Sequence, residues 1–404
     1  MREETEIAVI GAGPSGLIAA REASKMGAKV VILEEHGEIG LPCHCAGLLS
    51  ISGLNRIGLA GSRTYILNMV RGVRLFSPSS VSITIEWKKP IACVIDRHLF
   101  DVSLAEQAQR SGSLIRLKSK VTRASKEKGG WLLKTEGGDI IKAKLVIDAE
   151  GALPKIPRMI GIETHDSKRL LKGVQADLLL PGLDPDYIEV YFSRSLAPGL
   201  FAWVIPLNDE VARVGLACRA PDAMGYFINF VKKRFSAPPK KILKYYFGLV
   251  ITCGPIRRTY GDGLLIVGDS AGHSKPITGG GVIFGGICAR IAGRVASKAV
   301  MSGSIRGKFL RAYEEEWRSM IGNELKRALL VRKILNNLSD RDMDKIFSIA
   351  VREKVHDEVV LRGANMDYQA ITLIKVLRWK ILKFTPVIFR AFIHSIIGEK
   401  TVSI

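Results

Sequence analysis

The sequence has no long hydrophobic run and comparatively few acidic residues. No uninterrupted apolar stretch reaches the roughly 18 residues that a membrane-spanning helix requires. Asp and Glu total 39 against 60 Lys and Arg, which leaves a formal net charge of +21. We therefore expect a protein that does not span a membrane and that attracts an anionic partner. The basic residues are spread among apolar ones, so we expect no nucleic-acid binding, and a lipid surface or a phosphorylated substrate fits better.

Cysteine is also scarce, and its spacing excludes the common zinc sites. The six cysteines stand at positions 43, 45, 93, 218, 253 and 288, and Cys43-His44-Cys45 supplies at most three ligands. A structural zinc site needs four ligands, so we expect no metal. The first residues run directly into a strand pattern, without the basic and apolar regions of a secretory signal. We therefore expect an intracellular, cytoplasmic protein.

The opening residues predict a strand, a helix and a second strand. Residues 6–10 and 29–33 are short apolar runs, and residues 15–26 have helical periodicity. Between the first strand and the helix the sequence has the spacing Gly-x-Gly-x-x-Gly. Such a turn places the amides of a helix N-terminus against a phosphate. The pattern predicts a βαβ unit that binds a dinucleotide.

Each conspicuous residue of this turn has a predicted role. Gly11 allows the tight turn, Gly13 lets the backbone approach the pyrophosphate, and Gly16 lets the helix pack close to the strand. Ser15 stands at the start of the helix that faces the phosphates. Glu34 follows Gly16 by 18 residues and is placed to accept hydrogen bonds from the ribose hydroxyls. At this point the ligand is either FAD or NAD.

A second glycine-rich segment favours FAD. Asp269 follows an apolar strand, and Pro276 precedes three glycines that open a helix near Val282. The segment resembles the second flavin motif of FAD-containing hydroxylases and reductases. That resemblance implies that Asp269 contacts the ribityl chain. It also implies that Gly280, Gly281 and Val282 lie against the flavin ring, where a helix N-terminus stabilises negative charge.

Two shorter segments resemble further FAD signatures of the same flavoproteins. The sequence VIDRHLFDVSLAEQA is similar to their Asp-Arg-x-x-Phe-Asp helix start, and Glu150-Gly151 matches their Asp-Gly turn. The resemblance implies that Arg97 reaches the phosphates or the adenine side of FAD. It also assigns Val121 to the cofactor site.

The best overall resemblance is to the archaeal geranylgeranyl reductases, within the p-hydroxybenzoate hydroxylase-like flavoproteins. It rests on Glu38-Ile39-Gly40-Leu41-Pro42 before Cys45, on Asp184-Pro185-Asp186-Tyr187, and on Trp203-Val204-Ile205-Pro206, and it covers most of residues 6–330. The family implies FAD-dependent reduction of C=C bonds in geranylgeranyl chains. The substrate would be a digeranylgeranylglycerophospholipid or geranylgeranyl diphosphate, both precursors of archaeal membrane lipids.

The same resemblance implies roles near the flavin and along a substrate tunnel. Cys45, with Ala46 and Gly47, would lie beside the isoalloxazine, and Cys45 would take part in catalysis. The tunnel residues would be Phe201, Trp203 and Pro206. The family's Gly-Glu-Gly after the cysteine is replaced here by Ala46-Gly47-Leu48, and Ile205 replaces a phenylalanine.

Several alternatives stay open from sequence. The proton could come from water, from an acid on the substrate side, or from His273 as a second catalytic residue. The external electron donor is ferredoxin, NAD(P)H or a deazaflavin. Rival functions are an FAD-dependent monooxygenase, a menaquinone-type reductase, and a prenyl-chain carrier without redox activity.

The element pattern predicts an α/β fold with three parts. An FAD-binding Rossmann-like domain of the glutathione reductase type takes residues 1–60, 90–172 and 255–305. An antiparallel-sheet substrate domain takes residues 61–89 and 173–254. Strands near residues 114–121, 131–135 and 145–147 are expected to form a meander. Residues 306–404 form a helical C-terminal region.

The end of the chain is basic and amphipathic. Residues 370–397 contain no acid, and basic residues recur among apolar ones at Lys375, Arg378, Lys380, Lys383, Arg390 and His394. We expect a helix that lies on an anionic lipid surface, covers the tunnel or packs on the core, and that breaks or kinks at Pro386. The first alternative predicts peripheral contact with the inner face of the cell membrane.

Overall fold

The structure, a computed structural model, describes residues 2–59, 62–235 and 239–388. Within these residues the strands, in chain order, are β1 (Arg2–Ile10), β2 (Val30–Leu33), β3 (Leu48–Ser50), β4 (Ile66–Val70), β5 (Gly72–Phe76), β6 (Ser82–Glu86), β7 (Ala92–Ile95), β8 (Leu114–Arg116), β9 (Val121–Glu127), β10 (Gly130–Thr135), β11 (Ile140–Asp148), β12 (Leu171–Leu179), β13 (Tyr187–Tyr191), β14 (Phe201–Pro206), β15 (Val211–Cys218), β16 (Lys241–Val250), β17 (Tyr260–Gly261) and β18 (Leu264–Ile266).

The helices of the same residues are concentrated in the last third of the chain. They are α1 (Pro14–Lys25), α2 (Ile51–Arg56), α3 (Arg97–Arg110), α4 (Ile156–Met159), α5 (Ala223–Arg234), α6 (Val282–Met301), α7 (Gly307–Trp317), α8 (Asn323–Asn337), α9 (Asp340–Arg352), α10 (Val355–Leu361) and α11 (Gln369–Leu377), and residues 381–388 are also helical. Short 3₁₀ turns cover Ser167–Arg169, Gly268–Ala271 and Arg378–Lys380, and one π-helical turn covers Arg318–Gly322.

The first sheet has the strand order β17-β18-β11-β1-β2-β8, and β9 and β10 extend it from β11. The strands β1, β2, β8, β11 and β18 run parallel. Helices α1 and α6 cover one face and cross closely, because a Cβ on Gly293 would stand 2.4 Å from the Ala19 carbonyl oxygen. The predicted meander is confirmed for β9, β10 and β11 but is wrong for β8, which pairs parallel with β2 at the edge.

The second sheet has seven strands in the order β16-β12-β15-β14-β13-β5-β6. Successive side chains of each strand point to opposite sides of the sheet, and the two faces differ in chemistry. The outer face carries Val174, Ala176 and Val214, which pack under Phe227 and Phe230 of α5. The inner face, defined by the opposite side chains of the same strands, turns away from α5. It carries Phe201 and Trp203, two of the three residues predicted to line the substrate tunnel.

A small third sheet, β3-β7-β4, joins the two larger ones. The sequence boundaries assigned β4 to the substrate sheet, but its partner is β7, directly before α3. Helix α3 begins where it does because the Asp96 carboxylate caps the amides of His98 and Leu99. This cap fixes Arg97 at the junction between the sheets.

The C-terminal helices pack beside the second sheet. Ring centroids of Phe347 on α9 and Phe192 after β13 are 5.9 Å apart, and Phe347 packs in the same cluster as Ile83 of β6. Residues 381–388 are helical, so the break given as one alternative at Pro386 does not occur there, and the helical run is instead interrupted at Arg378, where φ is +40°. Arg390 and His394 lie outside the described residues. No helix in the described part of the chain combines the length and apolarity needed to cross a bilayer.

Candidate active site

The glycine-rich turn between β1 and α1 has the geometry that its sequence predicts. Gly11 has φ +98°, and a Cβ on Gly16 would lie 2.0 Å from the Gly11 carbonyl oxygen. Gly13 is different, since a Cβ there would meet no atom within 4 Å. Gly11 and Gly16 are therefore required by packing. Gly13 borders open space at the N-terminus of α1, where a pyrophosphate can approach the backbone.

Glu34 lies at the end of β2 beside this turn. Its carboxylate accepts hydrogen bonds from the Ala12 amide at 2.7 Å and from the His36 amide at 2.9 Å. The Glu34 carbonyl accepts the Ser119 amide at 2.7 Å, which brings the start of β9, with buried Val121, alongside. Glu34 and Val121 are thus brought together at the adenosine end of the predicted site.

The second flavin motif meets the first at Ser15. A Cβ on Gly268 or on Gly285 would lie 2.6 Å from the Ser15 hydroxyl, so the two segments are in close contact. A Cβ on Gly281 would lie 2.7 Å from Oδ1 of Asp269. The structure therefore places Asp269 between the helix starts of α1 and α6. Burial raises the pKa of Asp269, and the positive charge of Arg97 opposes that shift.

Arg97 is held in place by Asp101, one turn later on α3. Its Nε and Nη2 donate to the two carboxylate oxygens at 2.8 and 2.9 Å. Burial alone would lower the pKa of Arg97, but the Asp101 carboxylate raises it, so the guanidinium stays charged. The thiols of Cys43 and Cys45 and the Asp269 carboxylate are close enough to Arg97 to interact with its charge. Arg97 is therefore a fixed cation at the centre of the predicted flavin residues.

The loop of residues 43–47, called the Cys45 loop below, is anchored on both sides. The Gly47 carbonyl accepts the Ile95 amide at 2.9 Å, directly before α3. On the other side, Nη1 of Arg213 donates to the Ala46 carbonyl at 3.3 Å. Gly47 has φ +78°, and a Cβ there would stand 2.6 Å from the Ile95 carbonyl oxygen. The loop thus bridges the helix that carries Arg97 and the inner face of the second sheet.

Three residues of the inner face form a polar support under the Cys45 loop that sequence reasoning missed. Arg213 donates to both carboxylate oxygens of Asp177, at 2.7 and 3.0 Å, and the Tyr246 hydroxyl donates to the same carboxylate at 2.7 Å. Burial and the Asp177 carboxylate raise the pKa of Tyr246, which stays protonated. These residues stand on three strands, and the sequence shows no local pattern that would connect them.

Beyond this support the inner face carries a row of aromatic side chains. Ring centroids of Trp203 and Phe201 are 6.2 Å apart, and those of Phe201 and Phe192 are 5.7 Å apart. Gly215, opposite Trp203, makes room for the indole, because a Cβ there would lie 2.8 Å from it. Pro206 was wrongly predicted to share this lining. It pairs with Ala212, whose side chain belongs to the outer-face core, so alternation points Pro206 away from Trp203.

His273 is placed differently from its predicted role. It is fully buried, and its ring stacks edge-on against Trp317, with centroids 4.7 Å apart. Burial lowers the pKa of His273 to about 3. Neither ring nitrogen has a hydrogen-bond partner among the described residues. A neutral imidazole packed against α7 does not suit a proton donor, so the catalytic role suggested for His273 is withdrawn.

A buried polar junction lies beside the start of α6, and it too was missed from sequence. Lys275 donates to Oδ1 of Asp367 at 3.0 Å, and the Ser50 hydroxyl donates to Oδ2 of the same residue at 2.5 Å. The Lys275 amide donates to the Gly280 carbonyl at 3.0 Å. The junction therefore ties the glycine-rich flavin segment to the C-terminal helical region.

These residues fit FAD. Open space at Gly13 suits the pyrophosphate, Glu34 lies at the ribose end, and Asp269 lies between the two helix starts. The Thr278 hydroxyl, in the segment before α6, is buried and has no partner among the described residues, which leaves it available to a flavin. The two helix starts and Arg97 supply positive potential where the cofactor carries negative charge.

Comparison with known proteins agrees with the geometry. The model of the FAD dependent oxidoreductase family matches residues 6–152, and that of the geranylgeranyl reductase catalytic domain matches residues 171–250. A digeranylgeranylglycerophospholipid reductase of Methanosarcina acetivorans is 33% identical over 371 residues, which cover 86% of this chain and 88% of the relative. A second such reductase, of Methanothermobacter thermautotrophicus, is 34% identical over 351 residues, covering 84% of this chain and 90% of the relative.

Solved structures give the same result. A geranylgeranyl bacteriochlorophyll reductase-like protein of Thermoplasma acidophilum superposes with a TM-score of 0.85 at 26% identity, covering 96% of this chain and 100% of that one. The p-nitrophenol 4-monooxygenase of Pseudomonas putida has a TM-score of 0.71 at 17% identity, over 91% of this chain and 99% of that one, which shows a shared fold. The chain is thus an FAD-dependent oxidoreductase and belongs to the digeranylgeranylglycerophospholipid reductase family.

Proposed function

We propose that this chain reduces C=C bonds of geranylgeranyl chains in phosphate-bearing precursors of archaeal membrane lipids. The observation that carries the proposal is the position of the Cys45 loop. It contacts both the helix of Arg97 and the inner face, and Ala46 packs in one apolar cluster with Trp203. A chain lying along the aromatic inner face would therefore reach the cofactor site at Cys45.

The residues of this face position the substrate and exclude water. Bound FAD supplies the hydride, since no side chain is a competent hydride donor. Trp203, Phe201 and Phe192 provide an apolar surface on which an isoprenoid chain can be held in register with the cofactor site. The Asp177–Arg213–Tyr246 support keeps the Cys45 loop at a fixed height above the sheet. Cys45 would hold a proton next to the reacting bond, with water as the alternative source.

A cavity near the cofactor site supports a phosphate-bearing substrate. It has a volume of about 410 Å³ and is lined by Arg56, Arg362 and Lys375, among others. Arg362 is paired with Glu358 at 2.7 Å, whereas Lys375 is exposed and has no ionic partner among the described residues. Arg56 lies over the Tyr368 ring at 4.9 Å. The cavity thus presents two uncompensated cations to an anion.

The same cavity adjoins the proposed reaction site through one short segment. Asn365 and Tyr368 line the cavity, Asp367 pairs with Lys275, and Met366 packs with the cluster that contains Ala46 and Trp203. A phosphate in the cavity would therefore lie near the start of the apolar inner face. This placement supports a diphosphate or phospholipid substrate over an uncharged prenyl alcohol.

Substitution at the cavity tests the phosphate assignment. In the Arg56→Gln/Lys375→Gln variant we expect the KM for geranylgeranyl diphosphate to rise by about tenfold or more, since each charged hydrogen bond contributes roughly 1.5 kcal/mol or more. The KM for geranylgeraniol, which has no phosphate, should change little. Lys128→Gln/Lys308→Gln is the matched control. Equal losses on both substrates would contradict the assignment.

The reaction itself is tested with chemically reduced protein. FAD-loaded chain is reduced with dithionite and incubated with geranylgeranyl diphosphate or with digeranylgeranylglycerophospholipid, and products are weighed by mass spectrometry. We expect a gain of two hydrogens for each bond reduced. A Trp203→Ala variant should lose most of this gain, whereas Val204→Ala, on the outer face, should keep it. No gain on any isoprenoid would refute the proposal.

The physiological donor is proposed to be ferredoxin, NAD(P)H or a deazaflavin. Stopped-flow reduction of the bound FAD with each donor ranks them. Fast NADPH-dependent oxygen consumption with an aromatic substrate would instead favour the monooxygenase. We also propose that the protein contacts an anionic membrane peripherally, since its lipid substrate is found there.

A further inference from the structure

An exposed apolar stripe lies on the edge strand of the second sheet. It consists of Leu243, Tyr245, Phe247 and Leu249, alternate residues of β16 whose exposed fractions range from 39% to 55%. Alternation puts Tyr245, Phe247 and Leu249 on the outer side of the sheet, and Leu243 stands at the β-bulge just before them. Soluble proteins usually give such positions polar side chains, so a row of large apolar groups indicates an interaction surface.

The position of α5 explains why the stripe is uncovered. Phe227 and Phe230 of α5 cover Val174 and Ala176, the β12 partners of Phe247 and Tyr245. The helix extends only as far as the edge of Tyr245, whose ring centroid is 6.1 Å from that of Phe227. Beyond that contact each of the four side chains keeps at least 39% of its surface exposed, and Ile228 of α5 is a further exposed apolar side chain.

The charged side chains of the sequence segment that carries the stripe are all basic. Lys232, Lys233, Lys240 and Lys241 are exposed, and none has an ionic partner among the described residues. The sequence contains no Asp or Glu from residue 223 to residue 250. Arg234 differs, because its guanidinium is bound to Glu189. Four lysines therefore remain to meet an anionic surface.

We infer that the β16 stripe and its lysines dock the protein on an anionic phospholipid membrane. Aromatic and aliphatic side chains enter the boundary between headgroups and acyl chains, while flexible lysines keep their ammonium groups at the phosphates. A second copy of the chain is a poorer occupant, because lysines at the start of an edge strand oppose strand pairing. The basic C-terminal segment is a poorer membrane-binding element than the stripe, because its Lys380 and Lys383 already contact Glu358 and Glu353.

Vesicle flotation of the full FAD-loaded chain tests the inference without measuring reduction. We expect binding to vesicles of equal parts phosphatidylglycerol and phosphatidylcholine, and none to phosphatidylcholine alone. Phe247→Gln/Leu249→Gln should weaken binding by about tenfold or more, because the apolar contribution is lost. The control Leu330→Gln/Leu361→Gln changes two exposed leucines elsewhere and should have no effect.

A second pair of variants tests the charges. Lys240→Gln/Lys241→Gln should weaken binding by about fivefold per lysine, and Lys128→Gln/Lys308→Gln should not. A chain that ends at residue 388 should bind vesicles normally. The inference fails if the stripe variants bind like the unsubstituted chain or if the truncation alone abolishes binding. It also fails if sedimentation shows that the stripe variants only dissociate a dimer. Flavin absorbance confirms that each variant is folded.

Discussion

Arg213 and Asp177 are the residues on which the Cys45 loop depends. Their ion pair is largely removed from solvent, with 5% and 12% of the two side chains exposed. Burial alone would lower the pKa of Arg213, but its hydrogen bonds to Asp177 raise it, so the pair stays charged. Each charge is stable in this buried position only while its partner is present, because a buried charge without a partner lowers the free energy of unfolding.

Substitution of one partner should therefore lower the free energy of unfolding more than substitution of both. We expect Arg213→Met to lower the free energy of unfolding by about 3 to 5 kcal/mol, because Asp177 is left charged and unpaired. Arg213→Met/Asp177→Leu should recover part of that loss. Urea unfolding of the unsubstituted chain, Arg213→Met, Asp177→Leu and the double variant measures the difference. If the double variant were as unstable as the sum of the single ones, the pair would carry no such coupling.

The burial of His273 should make the stability of the folded chain depend on pH. A histidine in the unfolded chain takes up a proton near pH 6.5, whereas burial keeps folded His273 neutral down to about pH 3. The folded state is therefore favoured above about pH 6.5, and stability is lost as the pH falls, by up to about 1.4 kcal/mol per pH unit.

The test compares unfolding free energies from about pH 5 to about pH 7. His273→Phe should remove the part of this dependence that His273 contributes, while His44 and His165, whose pKa values burial also lowers, keep theirs. The variant should keep reductase activity, because the ring is not a proton donor. His356→Gln, on α10, should keep the dependence of the unsubstituted chain. Loss of activity in folded His273→Phe would show that His273 does act in catalysis.

At the scale of elements, two glycines of the turn between β1 and α1 serve different purposes: Gly16 is needed for folding, and Gly13 is needed for binding FAD. Gly16 is required because α1 contacts the Gly11 carbonyl, whereas a Cβ on Gly13 would meet no atom within 4 Å. Gly13→Val should therefore fold with nearly unchanged thermal stability and bind FAD about tenfold or more weakly, a cost of about 1.4 kcal/mol. Gly16→Ala should destabilise the chain even without FAD. Thermal melts of the apo proteins and flavin titrations check both, and equal melting losses would contradict the distinction.

Local patterns made this turn predictable, and the same kind of reasoning failed elsewhere for identifiable reasons. Glycine spacing, strand and helix lie within one short stretch, so Gly11, Gly16 and Glu34 could be read directly. The Ser50–Asp367 contact joins residues 317 positions apart, and no local pattern connects them. Pro206 was misplaced because a one-residue change of register reverses the face of a side chain. His273 was misplaced because a polar residue gives no indication of burial.

At the scale of the whole molecule, the Lys275–Asp367 pair joins the flavin segment to the C-terminal helices. Both side chains are nearly inaccessible to solvent. Asp367→Asn would leave Lys275 charged and unpaired, so we expect residues 355–377 to exchange amide hydrogens faster and FAD to bind more weakly. Glu353→Gln, whose pairs with Arg352 and Lys383 are more exposed, is the control. Unchanged exchange in Asp367→Asn would show that the two regions are independent.

The segment of residues 365–368 faces the basic cavity on one side and the flavin segment on the other. We therefore expect occupancy of the cavity and reduction of the cofactor to be linked through this segment. If phosphate binds more tightly to one oxidation state, the midpoint potential must shift by the same free energy when phosphate is bound. Binding of a phosphate headgroup would then change the driving force for reducing the prenyl chain attached to that headgroup. Without a headgroup, the bound FAD would have a different midpoint potential.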